Sequence, residues 1–225
     1  MARLARAIAV GPLLLCLGWL SLSSFNRGRA DTLVYDASRE MITWPAVRAP
    51  KVETWDWVRD DLLAALSLSP GDPTAHEALA VLETERLDSL EFLNDADVHL
   101  RKALELRPAS PYTWVNFATL RYRLNDVGGP FQAALVQAVR LGPGEPEIQR
   151  RVADLGLAVW DELTEPTRTP VRQAIEWGMR RNAPEMLQIA ERRGRLPVAC
   201  GLAPRVNGYM ESRWYPLCES TEAIQ

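Results

Sequence analysis

Two histidines, three cysteines and a dense run of carboxylates are the side chains here that could do chemistry. Asp95 and His99 stand four residues apart, one helical turn, a spacing that suits a shared metal ion or an ordinary helix hydrogen bond. His76 and His99 are assigned structural roles. The acids of "ETERLDSLEFLNDAD" raise calcium binding or a pair of catalytic carboxylates. They lack the glycine turn and ligand spacing of an EF-hand loop. Carboxylates that hydrolyse glycosides must in addition be held in a cleft. The motifs GxxxxGKS/T, GxGxxG and GxSxG are absent. The chain therefore reads as a non-enzyme, with no catalytic, cofactor-binding or metal-binding residues assigned.

The cysteines divide by position. Cys16 lies in an apolar N-terminal stretch, and Leu15 before it is not the small residue that a bacterial lipoprotein signal places there. Cys200 and Cys218 lie in "LPVACGLAPRVNGYMESRWYPLCES". In an oxidising compartment these two pair, and closing their 18-residue separation would contribute about 3 kcal/mol by chain entropy. The alternatives are reduced, buried thiols or a metal site, for which two ligands without a nearby histidine are too few.

Charge sets further bounds. The net charge of −3 excludes general nucleic-acid binding, which needs a basic surface. Residues 53–97 hold 12 acids and two bases, whereas residues 168–213 hold nine arginines and four glutamates. The two poles are either solvated helix faces or surfaces that select partners by charge.

The elements that must position these groups begin with residues 7–25, "AIAVGPLLLCLGWLSLSSF", which carry no charge. As a helix this stretch spans ~28 Å, roughly the hydrocarbon core of a bilayer. Arg3 and Arg6 precede it, so residues 1–25 read as a cleaved secretion signal or a signal-anchor, and an uncleaved anchor with the body outside is the expectation. Residues 26–52, broken by Pro45 and Pro50, read as a spacer. Trp44, Trp55 and Trp57 near its end would sit at the bilayer interface or pack against the first helix.

From residue 53 the pattern is helical. "WVRDDLLAALSLSP", "ADVHLRKALELRP" and "PFQAALVQAVRLGP" each carry one apolar face and share Ala, four residues, then Pro: Ala65–Pro70, Ala103–Pro108 and Ala138–Pro143. Proline stops each helix, since it lacks an N–H and crowds the preceding turn. A new helix starts at once in "DPTAHEALAVL", "SPYTWVNFATLRY" and "EPEIQRRVADLGLAVW". Asp72 and Ser110 are N-caps there, and Pro73, Pro111 and Pro146 occupy first turns. The proline marks recur at 38 and 35 residues, an internal repeat.

This unit resembles the tetratricopeptide repeat. Trp114, Phe117, Ala118 and Tyr122 match that family's first-helix positions; Ala96, Leu100, Ala103 and Pro108 match its second-helix positions. His76 and Gln149 stand where the tryptophan would be in the flanking units. The resemblance covers about residues 55–165 and implies an all-α fold, a short array in a right-handed superhelix. Five parts are expected: an anchor at 1–25, a spacer at 26–52, repeats at 53–165, a capping helical pair at 166–194 and a cysteine-containing, coil-rich tail at 195–225. Gly156 permits close helix contact, and Gly194 marks a C-terminal stop.

Tetratricopeptide arrays bind on the concave face of their first helices. The resemblance places Thr74, Glu77, Val81, Tyr112, Val115, Thr119, Tyr122, Glu147, Arg150 and Asp154 there. Members that grip a peptide carboxylate use Lys, Arg and Asn; Glu77, Val81, Val115 and Thr119 depart from that pattern. The chain is also similar to small membrane-anchored repeat proteins of bacterial exopolysaccharide and O-antigen assembly. That likeness implies a single-pass inner-membrane protein with a periplasmic body. It would scaffold an envelope complex by contacting a synthase, polymerase or export component. A rival reading is a polysaccharide-binding module stacking sugars on Trp114, Trp160 and Tyr122. An enzyme is the second rival.

Overall fold

The computed structural model describes residues 2–44, 50–86, 89–203, 205–206, 209–210 and 218, with side chains from residue 11 onward but not at 205–210. The chain divides into two compact units, residues 1–86 and 87–225. Packed α-helical hairpins dominate both, an architecture compatible with a helical repeat fold.

The first unit holds α1 (Ala2–Ile42), α2 (Val52–Leu68) and α3 (Pro73–Thr84). Residues 26–42 were expected as spacer and are helical instead, continuing α1 without a break. The reason is a narrow buried stripe: Ala30, Val34 and Ala37 recur at helical spacing and are buried against α2. Two alanines in that stripe let the helix axes come close. On α2, Trp55, Val58, Leu62, Ala65 and Leu66 are buried. Burying a side chain such as Leu62 is worth roughly 1.5–3 kcal/mol. Trp55 is a packing residue: its Nε1–H donates to the Leu82 carbonyl at 3.4 Å, and Arg86 lies 4.8 Å from its ring centre. Trp57 stays exposed. Among the described residues, whose side chains begin at residue 11, no helix is long and apolar enough to cross a membrane, so the anchor expected at residues 1–25 gains no support there.

The second unit holds α4 (Leu90–Leu106), α5 (Pro111–Arg123), α6 (Gly129–Leu141), α7 (Pro146–Ala158), α8 (Glu165–Arg192) and α9 (Leu196–Gly201). Helices α5 and α6 form one hairpin and α7 and α8 the next. Phe117, Leu120, Phe131, Leu135, Ile148, Val152 and Ile175 fill the core between them. Gly156 is the tightest approach: a Cβ there would lie 2.5 Å from Val171 Cγ1. Helix α8 runs through most of residues 166–194 and is kinked at Asn182 (φ −149°, ψ 75°), two residues before Pro184. Gly194 follows it in the left-handed region, at φ 66°. The tail is not all coil, since α9 and a two-residue antiparallel ladder (β1, Arg205–Val206; β2, Tyr209–Met210) lie within it. Cys200 on α9 is disulfide-bonded to Cys218, with Cα atoms 5.7 Å apart.

Three helix junctions share one set of hydrogen bonds. The N–H of Ser69, Arg107 and Gly142 donates to the carbonyl of Ala65, Ala103 and Ala138, closing α2, α4 and α6. Pro70, Pro108 and Pro143 follow, each outside its helix, so each leaves a carbonyl with no intrahelical partner. A side chain from the next helix fills that need, always six residues on. His76 Nε2 lies 3.0 Å from the Pro70 oxygen, Trp114 Nε1 2.8 Å from that of Pro108, and Gln149 Nε2 2.7 Å from that of Pro143. A carbonyl oxygen only accepts, so each nitrogen is the donor. At the first two junctions the next helix is then capped, by Asp72 Oδ1 on Thr74 N–H at 2.8 Å and by Ser110 Oγ on Thr113 N–H at 3.2 Å, whereas Glu145 before α7 makes no side-chain cap bond.

Candidate functional site

Helices α5 and α7 open with prolines and run the same way along the unit, so their polar side chains recur on one face. Of the residues assigned to that face, the structure removes Val115. It is fully buried, because α5 is covered by α4, α6 and α7 and keeps little solvent surface. In the first unit, Glu77 and Val81 of α3 are half-buried and Thr74 is exposed. Tyr112 is exposed, and its hydroxyl donates to Glu145 Oε2 at 2.9 Å. That bond to a carboxylate raises the phenol above its ordinary pKa, with burial and the charge of Glu145 adding to the effect.

The remaining five are held in three separate sets of contacts, with groups that sequence position does not reveal. Thr119 donates to its own helix at the Val115 carbonyl, 2.8 Å, and accepts from Arg151 Nη2 at 3.0 Å. Arg150 pairs with Glu147 one turn before it and with Glu185 at 3.1 Å. Asp154 takes a two-pronged bond from Arg193, Nε at 2.9 Å and Nη2 at 2.7 Å. The third arm of Arg193, Nη1, donates to the Tyr122 hydroxyl at 3.4 Å, and the guanidinium lies 5.8 Å from the Tyr122 ring centre. The bond to Asp154 holds the Arg193 guanidinium above its usual pKa, against the opposing pull of burial.

Two of these sets reach across to the kinked helix α8 and its end. Pro184 cannot continue the preceding helix, and Asn182 Nδ2 donates to Glu185 Oε2 at 3.0 Å. Glu185 thereby meets Arg150 at the start of the second segment, and Arg193 meets Asp154 just beyond its end. Both pairs are partly exposed, so each is worth on the order of 1 kcal/mol or less. Their effect is one of position: two clamps fix the second segment of α8 along α7. The acidic and basic groups of the face cancel locally, Glu147, Asp154 and Glu185 against Arg150, Arg151 and Arg193. A partner that docks there exchanges ion pairs rather than neutralising one surplus charge.

The aromatic residues considered for sugar stacking are engaged by the chain itself. Arg168 and Arg172 lie 5.8 and 5.7 Å from the Trp160 ring centre, Arg193 covers Tyr122, and Trp114 serves the junction at Pro108. Asp95 and His99 are both partly buried on α4. Among the described residues, no group of three or more His, Cys, Asp or Glu is placed to hold a metal ion.

Arg193, Glu185 and Arg151 were missed by sequence reasoning, because their partners lie 39, 35 and 32 residues away along the chain. The arginine surplus of residues 168–213 was the one available signal. Comparison of the chain with protein-family models gave no match, and comparison with curated proteins gave none.

Proposed function

We propose that this chain is a non-catalytic, tetratricopeptide-like scaffold of a bacterial envelope complex. The observation that carries the reading is the set of three equivalent junctions. Segments that end and restart helices by one rule build arrays of paired helices, and such arrays present successive first helices to a partner. In the second unit the presented groups are Tyr112, Thr119, Tyr122, Glu147, Arg150 and Asp154. The uncharged stretch 7–25 serves as an inner-membrane anchor, and the body lies in the periplasm. The Cys200–Cys218 disulfide suits that oxidising compartment. The partner is a protein of exopolysaccharide or O-antigen assembly: a synthase, a polymerase or an export component.

Crosslinking and pull-down of the full chain from membranes tests this. Recovery of an envelope protein, lost when Tyr122→Ala and Arg150→Ala are combined, supports the reading. The double variant loses the half-buried Tyr122 ring and the ion pairs of Arg150, so its melting curve should move down but stay cooperative, and capture is compared at a temperature where both chains are folded. Capture unchanged in the double variant refutes the face. Recovery of soluble cytoplasmic proteins alone refutes the localisation.

A further inference from the structure

Helix α1 changes character along its length without changing direction. Every residue from Gly11 to Leu22 is exposed. Leu13, Leu14, Leu15, Leu17, Trp19, Leu20, Leu22 and Phe25 are 51–77% exposed. At about 100° per residue these side chains point to all sides of the helix. A groove, or a second copy of the chain, covers one stripe; a surrounding apolar phase covers them all. Five residues beyond Phe25 burial becomes one-sided, at Ala30, Val34 and Ala37 against α2. No break separates the two regions: the one proline inside α1 is Pro12.

The packing also sets the sense of α2. Helices α1 and α2 pack along each other, with Ala30, Val34 and Ala37 buried on one and Val58, Leu62 and Ala65 on the other. Nine residues of chain separate these two packed helices, so α2 runs back along α1. The turn from Ser69 to Asp72 therefore points toward the apolar end of α1. The other end of the hairpin, at Ile42 and Val52, lies ~25 Å farther along the axis, seventeen residues past Phe25.

We infer that α1 is a rigid post, lipid-embedded at its apolar end, that holds the first unit at fixed height on the bilayer with the α2–α3 turn at the headgroup layer. This rests on the membrane anchor proposed above and goes beyond it. A flexible tether would let the first unit search freely, whereas a post confines that turn to partners that are themselves integral membrane proteins.

The test uses the full chain in vesicles of phosphatidylethanolamine and phosphatidylglycerol. Cys16 is free and exposed, and Cys200 and Cys218 are paired, so a nitroxide can be placed at Cys16 and a second at Tyr35→Cys. Nineteen helical residues predict a single narrow distance near 29 Å, about 1.5 Å per residue. The Cys16 label should be sheltered from a water-soluble relaxation reagent, and the label at position 35 should not be. A Gly-Ser insertion after Arg27 should broaden the distance and leave Cys16 sheltered. A broad distribution in the uninterrupted chain, with Cys16 sheltered, overturns the post and spares the anchor. A Cys16 label open to water overturns the anchor, and the post with it.

Discussion

Substituting Gly156 by alanine has two opposed effects, and the structure decides which wins. In an uncrowded helix interior Gly→Ala stabilises by about 1 kcal/mol, through helix propensity. Here the added Cβ would meet Val171 at 2.5 Å from Cγ1 and 3.0 Å from Cγ2. Val171 is fully buried, and its β-branched side chain has one strongly preferred rotamer in a helix. It cannot swing aside, so α7 and α8 must part. Overpacking of this kind costs typically 1–3 kcal/mol, with the upper range expected for a rigid partner. The net is a loss of about 1–2 kcal/mol, or roughly 2–8 °C in melting temperature. Thermal unfolding followed by circular dichroism and calorimetry measures it. Val171→Ala supplies the internal control: it removes both clashing methyls, so it should cost at least ~1 kcal/mol less in the Gly156→Ala background than in the parent. A Gly156→Ala variant that melts higher than the parent, or strict additivity of the two changes, would refute the close-approach argument.

Three other outcomes are expected. Trp114→Phe keeps most of the ring but loses the 2.8 Å bond to the Pro108 carbonyl, so chemical denaturation should show a loss of ~1 kcal/mol. Replacing Cys200 and Cys218 together by serine opens an 18-residue closure and should lower stability by about 3 kcal/mol, read by the same assay. The Asp61 carboxyl is raised by burial first and then by Asp36 and Asp60, so the folded chain holds that proton to higher pH than the unfolded chain. Its contribution is present in strong acid and is lost as pH rises past the ordinary carboxylate range and through the raised folded value. Asp61→Asn should therefore stabilise the first unit at neutral pH and give no gain in strong acid, as a pH series of melting curves would record.

Much of the architecture was legible because prolines mark it. Pro70, Pro108 and Pro143 stop helices, while Pro73, Pro111 and Pro146 start them, for reasons local to the backbone. The extent of α1 was harder to see. Its buried stripe from residue 30 to 37 is two alanines and a valine, too little apolar contrast among Arg27, Arg29, Asp31 and Asp36 to stand out. The spacing of four and then three was nonetheless there to be read. Val115 was misplaced because a family's binding position was carried over without counting how many helices surround α5. The ties from Glu185 and Arg193 were beyond local reasoning, since they depend on where a kinked helix brings distant charges.

The junction rule has a consequence for how this chain can vary. A ring nitrogen of histidine, an indole and a primary amide share neither shape nor polarity, yet His76, Trp114 and Gln149 deliver the same proton to the same kind of oxygen. What is held constant from unit to unit is an atom at a place, not a letter in an alphabet. Substitutions that look radical when residues are compared can be silent at the level of the bond. A mild exchange such as tryptophan for phenylalanine breaks it. Units of this kind can drift far apart in sequence while the hinge between their helices remains chemically the same.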